Sequence, residues 1–346
     1  MEKKYITSDE VNLRQVAVQY MYDMAKVEWT AGPQMDYSFN NKTLIYQPGE
    51  KYVGMVYNNC RNGLEAFKKA LDENGKYKLE DVDWNTAPGN SCATSIKHAW
   101  QMVSPDVDYQ YSIDMMPYYD DTGVAAIGNI NWAAYDEKNT TNSILKNTEK
   151  KDVLEAYAMT LPGDAFMRYL DTGGHALMVT LEPVVVRDEN GEIKPEESFV
   201  FLTDQNNVLN KLREYPSSWK VDHKVSFEQS YTDGWLPVTI PELVEGKCPV
   251  PEYEAEEAPA AEDLAAGNLK GAVKSNYCIM TVHVEVKKEE EVVACAEAHP
   301  YKKAYDLSQL NESLALAELP AGNYSMAVTV TVGLGSKTVA EIAFAK

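Results

Sequence analysis

Cys92 stands at the start of a predicted helix, Cys92–Val103, directly after the turn Pro88-Gly89-Asn90-Ser91. Unpaired N–H groups and the helix dipole at such a position favour the thiolate, the reactive form of cysteine. A small apolar residue packed at a helix start is the alternative. His175 follows Thr172-Gly173-Gly174 and opens the apolar run Ala176-Leu177-Met178-Val179. Its imidazole therefore sits at the mouth of a predicted strand, where it can reach a cleft; a surface histidine at a turn is the alternative. Strand pairing supplies a third element. Asn190-Gly191 lies between the strand at 175–187 and the strand at 198–204, and Asn-Gly is a strong two-residue hairpin signal. With that turn, Glu189 pairs with Glu192, His175 falls opposite Asn206, and Leu177 opposite Asp204. Side chains alternate along a strand, so His175, Asp204 and Asn206 share one face while Gln205 points away. Glu182-Pro183 and Pro195 can introduce a bulge that shifts this register.

These residue types suit acyl chemistry. A thiolate attacks an amide carbonyl, an imidazole holds the proton and returns it to the leaving amine, and a carboxylate or carboxamide fixes the ring. N–H groups at the start of the Cys92 helix can serve a developing oxyanion.

The elements that must position these groups read as follows. Thr7-x-x-Glu10 predicts a capping box that opens a helix with Leu13, Val16, Tyr20 and Met24 on one face. Leu64, Phe67 and Leu71 mark a second helix that stops at Gly75. Ile96, Trp100 and Val103 form the apolar stripe of the Cys92 helix, and Lys151–Met159 is another helix. Strands are expected at Ala165–Leu170, His175–Leu181, Val184–Arg187 and Ser198–Thr203. Helices followed by a run of strands is an α+β order.

Residues 249–267 differ from their surroundings. Three prolines and six carboxylates, with no base among the carboxylates, read as an extended acidic linker that self-repels. The expected domains are therefore 1–248, with an insertion at about 104–160, the linker 249–267, and an all-β sandwich over 268–346. Strands in that last part are expected at Tyr277–Val286, Glu291–Ala296, Leu314–Leu319, Tyr324–Val332 and Thr338–Phe344. Cys278 and Cys295 fall on these strands, as buried small residues or as a bridge.

Composition narrows the classes. The chain has 346 residues, 32 Lys plus Arg and 53 Asp plus Glu, for a net charge of −21. That argues against nucleic acid and against anionic lipid as partners. No run of about 18 apolar residues exists, so no membrane insertion is expected. Five cysteines are too few for a disulfide scaffold, and no zinc-type spacing occurs, so neither metal nor cofactor is expected. Glu2-Lys3-Lys4 is not followed by the apolar core of a signal peptide. The chain is then cytoplasmic, or a leader has been removed.

Gly89-Asn90-Ser91-Cys92 opening a helix, Gly163-Asp164 ahead of Gly174-His175-Ala-Leu-Met-Val, and then Thr203-Asp204-Gln205-Asn206 resemble the CHAP family. More broadly they resemble the NlpC-type, papain-like amidases and endopeptidases of bacterial cell walls. The resemblance implies helices packed on an antiparallel sheet, with Cys92 as nucleophile and His175 as general base and acid. Asp204 stands where the family usually has Glu, one methylene shorter, and Asn206 is the fourth polar member. Ser91 departs from the Asp, Asn or Gln of many relatives. The step from Cys92 to Asp164 is long for the family and implies the insertion. Tyr109, Tyr111, Tyr118, Tyr119, Trp132 and Tyr135 crowd it, as a stacking groove or as ordinary core and surface aromatics. Tyr52-Val-Gly54-Met-Val-Tyr57 is similar to a segment that walls the site in NlpC-type domains, while Cys60 and Cys248 read as buried or incidental thiols. The C-terminal part is similar to Ig-like modules of secreted Gram-positive surface proteins. The resemblance thus implies a secreted or cell-surface hydrolase of peptidoglycan peptides, with a possible surface partner for the C-terminal domain. The alternatives are a catalytically silent domain of an adhesion or scaffold protein, and a transglutaminase-like acyl transferase.

Overall fold

A computed structural model describes residues 4–39, 41–80, 82–117, 122–136, 140–210 and 214–346. Tyr118 and Tyr119 of the expected aromatic groove lie outside the described residues. The chain forms two compact units. One is Tyr5–Cys248, and the other comprises Pro249–Lys346 together with Lys4.

Three helices of the first unit come before its central sheet. Helix α1, Leu13–Lys26, opens at Asn12, whose side chain accepts from Gln15 N at 3.0 Å. The expected box at Thr7 closes only an isolated turn. Glu10 accepts from both the backbone N–H and the hydroxyl of Thr7, at the end of the short strand Tyr5–Thr7, and the helix begins one turn later. Leu13, Ala17, Tyr20, Met21 and Met24 form its buried stripe. Helix α2, Leu64–Lys69, is shorter than expected. Beyond it, Leu71 bridges Tyr77 across a turn that ends at Gly75, because Asp72 N and Lys76 O bond at 2.8 Å.

Helix α3, Cys92–Gln101, starts at Ser91, whose N–H donates to Thr94 Oγ1 at 2.9 Å. Nine of its ten residues are buried, Lys97 being the exception, as fits a helix enclosed on all sides. It packs on α1 and on the sheet. Trp100 Nε1 donates to Gly163 O at 2.7 Å and ties it down.

The sheet has six antiparallel strands: β1 Ala125–Ala126, β2 Ala165–Leu170, β3 Gly173–Val184, β4 Phe199–Asn210, β5 Ser217–Ser226 and β6 Leu236–Thr239. Their spatial order is β5-β4-β3-β2-β6-β1. The expected strand at Val184–Arg187 is not separate, since β3 runs on to Val184. The segment expected as an insertion supplies the edge strand β1, paired with β6, and the helix Lys150–Ala158.

In the second unit, residues 249–267 are not a free linker. Strand β7, Tyr253–Glu257, pairs with β8, Ala272–Ile279, and a helical turn at Ala261–Ala265 buries Leu264. Alternation explains this. Tyr253 and Ala255 turn inward while Glu254, Glu256 and Glu257 face solvent. Lys274 pairs with Glu256 and Lys270 with Asp263, so the bases that offset these carboxylates come from a neighbouring strand and loop. The remaining strands are β9 Thr281–Lys288, β10 Glu291–Ala298, β11 Lys302–Asp306, β12 Asn323–Val332 and β13 Gly335–Ala345. They form sheets ordered β7-β8-β11 and β10-β9-β12-β13, whose inward residues share one core. Tyr324, Met326, Val328 and Val330 show the alternation along β12. Leu314–Leu319 is not a strand. Ala315 takes a left-handed φ of 46° between two short helical turns, which buries both Leu314 and Leu316. Cys278 is buried and Cys295 exposed, and neither forms a disulfide.

One close approach in the first unit holds Gly54 against Trp219. Gly54 has φ 82°, and a Cβ there would lie 2.3 Å from Trp219 Cδ1. Gly49 has a similar φ of 77° with nothing near it. Gly54→Ala is expected to cost at least about 2 kcal/mol by urea denaturation, backbone strain plus overpacking. Gly49→Ala should cost about 1 kcal/mol, the strain alone.

Candidate active site

His175 is the third residue of β3, which leaves the turn at Asp171-Thr172 through Gly173-Gly174. Gly173 takes φ 119°, and a Cβ on Gly174 would collide with Ser112 Oγ at 1.7 Å, so only glycine lets the chain enter β3 there. Across β2, His175 pairs with Arg168. Across β4, Met178 pairs with Thr203 and Val179 with Leu202. That is the register predicted for the site, although the turn itself differs. Asp188 rather than Glu189 pairs with Glu192, and Gly191 is left-handed with φ 83°. Irregularities between Val179 and Val184 restore the pairing at the site end.

The consequence is a hydrogen-bonded cluster on one face. His175 Nε2 donates to Asp204 Oδ2 at 2.9 Å, and Asn206 Nδ2 lies 3.3 Å from the same oxygen. Gln205 turns to the opposite face and donates to Met55 O at 2.8 Å. Asp204 is only 2% exposed, a buried carboxylate that has to be paired.

Cys92 meets His175 from α3. Burial would push its thiol up, but the charged imidazole, its hydrogen bond, and the N–H groups of Ala176 and Ala93 together hold it below the usual thiol range. For His175, burial alone would lower the ring; the Cys92 thiolate and the Asp204 carboxylate outweigh it and push the imidazole up to about 10. Burial likewise opposes ionisation of Asp204, and the bond and charge of His175, with His223 and Asn206, hold it below the carboxylate norm. The shifts thus run toward a thiolate–imidazolium pair backed by a carboxylate.

The segment Tyr52–Tyr57 runs beside the turn that precedes Cys92. Asn58 N donates to Asn90 O and Asn90 N to Val56 O, which lays the segment beside the turn before Cys92. Met55 O accepts from Trp219 Nε1 at 3.0 Å as well as from Gln205. Burial and the nearby Cys92 charge hold the phenols of Tyr57 and Tyr109 protonated.

A groove of about 1020 Å³ opens beside the cluster. His175, Asp204, Asn206 and His223 line it, with Arg168, Lys42, Lys220, Lys224 and Trp235. The Trp235 ring lies 5.7 Å from the imidazole, and Arg168 sits 4.4 Å over that indole. Cys92 itself is 7% exposed and does not line the groove. Among the described residues, the aromatics expected there are elsewhere. Tyr109 and Trp132 are buried, Tyr111 is exposed under Arg61, and Tyr135 lies outside the lining. Tyr109 packs instead against Trp100 of α3, with ring centroids 6.2 Å apart. Among the described residues, no group of three or more His, Cys, Asp or Glu has metal-holding geometry. Missed from the sequence were His223, Arg168 and Trp235, none of which sits in a local motif.

The pH dependence follows from the two shifts. The stabilisation from charged His175 is complete below about pH 6.5, the unfolded value, and is lost as pH rises through about 10. For Cys92 the sign reverses. The stabilisation is present above the ordinary thiol value of about 8.5 and is lost as pH falls through the depressed folded value. Alkylation of Cys92 by iodoacetamide, followed by peptide mass spectrometry, should lose less of its rate between about pH 8.5 and about 6.5 than that of an ordinary thiol. In His175→Ala the rate should fall about tenfold per pH unit over that range.

No family model and no curated protein matches the chain.

Proposed function

We propose that the first unit is a papain-like cysteine amidohydrolase or endopeptidase. The observation that carries this is the Cys92–His175 pair held by Asp204 at 2.9 Å. Cys92 attacks the carbonyl and forms a thioester, His175 delivers its proton to the leaving amine, and water, deprotonated by the now neutral ring, releases the acid. Asp204 holds the imidazolium and Asn206 the carboxylate. The α3 terminus favours negative charge on the sulfur and on the oxyanion.

Peptidoglycan peptides are the proposed substrate, on the resemblance of the Cys92, His175 and Asp204 motifs to CHAP and NlpC-type domains. The groove supports a substrate that carries carboxylates. Arg168, Lys42, Lys220 and Lys224 line it in a chain of net charge −21. The second unit, two antiparallel sheets over one core, suits an Ig-like module that holds the enzyme at a secreted or surface location.

One observation favours a second reading, a catalytically silent domain of a surface scaffold. The groove reaches His175 but not Cys92, whose side chain is buried. The two separate on digestion of purified peptidoglycan, with released peptides read by mass spectrometry. Cys92→Ala should abolish release while moving the thermal midpoint by only a few degrees, and Asp204→Ala should lower release at least about tenfold. Release by the Cys92→Ala chain would overturn the hydrolase. A wild-type chain that releases nothing, and whose Cys92 is alkylated only after unfolding, would establish the scaffold.

A further inference from the structure

The carboxylate of Asp204 has a second neighbour that the proposed chemistry leaves unused. His223, on β5, places Nδ1 3.5 Å from Asp204 Oδ1. Both atoms are buried, and neither has a hydrogen-bond partner. Oδ2 of the same carboxylate is occupied by His175 and Asn206. One buried carboxylate therefore stands between two imidazoles, bonded to one and facing the other.

A backbone irregularity creates this arrangement. Along β5, Lys220 pairs with Asp204 and His223 with Leu202. Two residues thus oppose the single residue Thr203, which is a β-bulge. In an unbroken ladder Asp222 would stand opposite Leu202, and His223 would fall on the far face of the sheet. The extra residue turns His223 onto the face shared by Leu202 and Asp204. The bulge is costly and well held. Asp222 is non-glycine with φ 50°. Its carboxylate accepts from Tyr22 Oη at 2.6 Å and from Thr180 Oγ1 at 2.7 Å, and its N–H donates to Thr203 Oγ1 at 3.1 Å. Strained backbone kept by several bonds beside a reactive pair is a feature of functional sites.

We propose that His223 is a positioning residue for the thiolate–imidazolium pair: as the neutral Nδ1–H tautomer it donates to Asp204 Oδ1 and holds the carboxylate in line with His175. The inference deepens the proposed cysteine chemistry and rests on it for its purpose, though not for its geometry. Burial keeps the His223 ring neutral against the pull of Asp204 and of a hydrogen bond to the Leu202 backbone. The other charged groups that face it are His175 from β3 and Lys220 on its own strand. Lys224, Arg168 and Asp233 complete the groove around it. The 3.5 Å separation is longer than a formed hydrogen bond, and catalytic contacts that are long in a free site tighten in its ligand complex.

Two measurements on the full chain test it. Side-chain ¹⁵N NMR near neutral pH should find His223 protonated at Nδ1; protonation at Nε2 overturns the proposal, whether or not the chain is an enzyme. In the pH profile of Cys92 alkylation by iodoacetamide, His223→Phe should raise the acid limb by about half a pH unit or more, because Asp204 loses a donor and His175 its alignment. His223→Gln keeps a donor and should reverse most of that shift. An unmoved limb in His223→Phe, or an equal shift in His223→Gln, overturns the proposal. Should His223→Phe not fold, Tyr22→Phe removes one bond from the bulge and should move the limb the same way by less; no movement overturns it. A wild-type chain without a depressed acid limb counts against the hydrolase alone, and the ¹⁵N result still decides the role of His223.

Discussion

A carboxylate taken out of water has to be neutralised or bonded on every side, and Asp204 is such a group. Its oxygens meet His175, Asn206 and His223, three side chains from three positions on two other elements and its own strand. The charge that Asp204 stabilises is the imidazolium, and the imidazolium in turn stabilises a thiolate at the tip of α3. Each charge is tolerated in the interior because the next one is beside it. The register of β3 on β4, the glycine entry at Gly173-Gly174 and the bulge at Asp222 can all be understood as conditions for that single arrangement.

Rigidity behind the cluster comes from the opposite face of the sheet. Gln205 and Trp219 both donate to the Met55 carbonyl, and the Trp219 ring lies so close to Gly54 that no side chain fits. These contacts pin the segment beside the Cys92 turn to β4, which carries Asp204, and to β5. The alternation of β4 therefore does two jobs. Asp204 faces the groove and Gln205 anchors the wall. The charge of the groove runs against that of the chain, since lysines and Arg168 gather where a net charge of −21 would otherwise repel an anion.

Much of this site could be seen in the linear chain. Ser91 ahead of Cys92 marked a helix start, the glycines ahead of His175 marked a strand mouth, and alternation put Asp204 and Asn206 together with Gln205 apart. Pairing at the site end agreed even though the turn was read one residue out, because later irregularities cancelled the offset. The acidic stretch after residue 248 was misread for a physical reason. A local window counts its carboxylates but not Lys270 and Lys274, which lie beyond that stretch.

The amino-acid sequence alone thus determined which side chains stand at element ends and which faces they share, because capping, glycine turns and strand alternation act over a few residues. Tertiary structure decided the rest. His223 faces Asp204 only through a bulge whose three bonds reach Tyr22, Thr180 and Thr203. The proton affinities of Cys92 and His175 depend on burial and on charges from other elements. Interactions between groups far apart in the chain have no local pattern to announce them, and those interactions turn a thiol, an imidazole and a carboxylate into one charged unit.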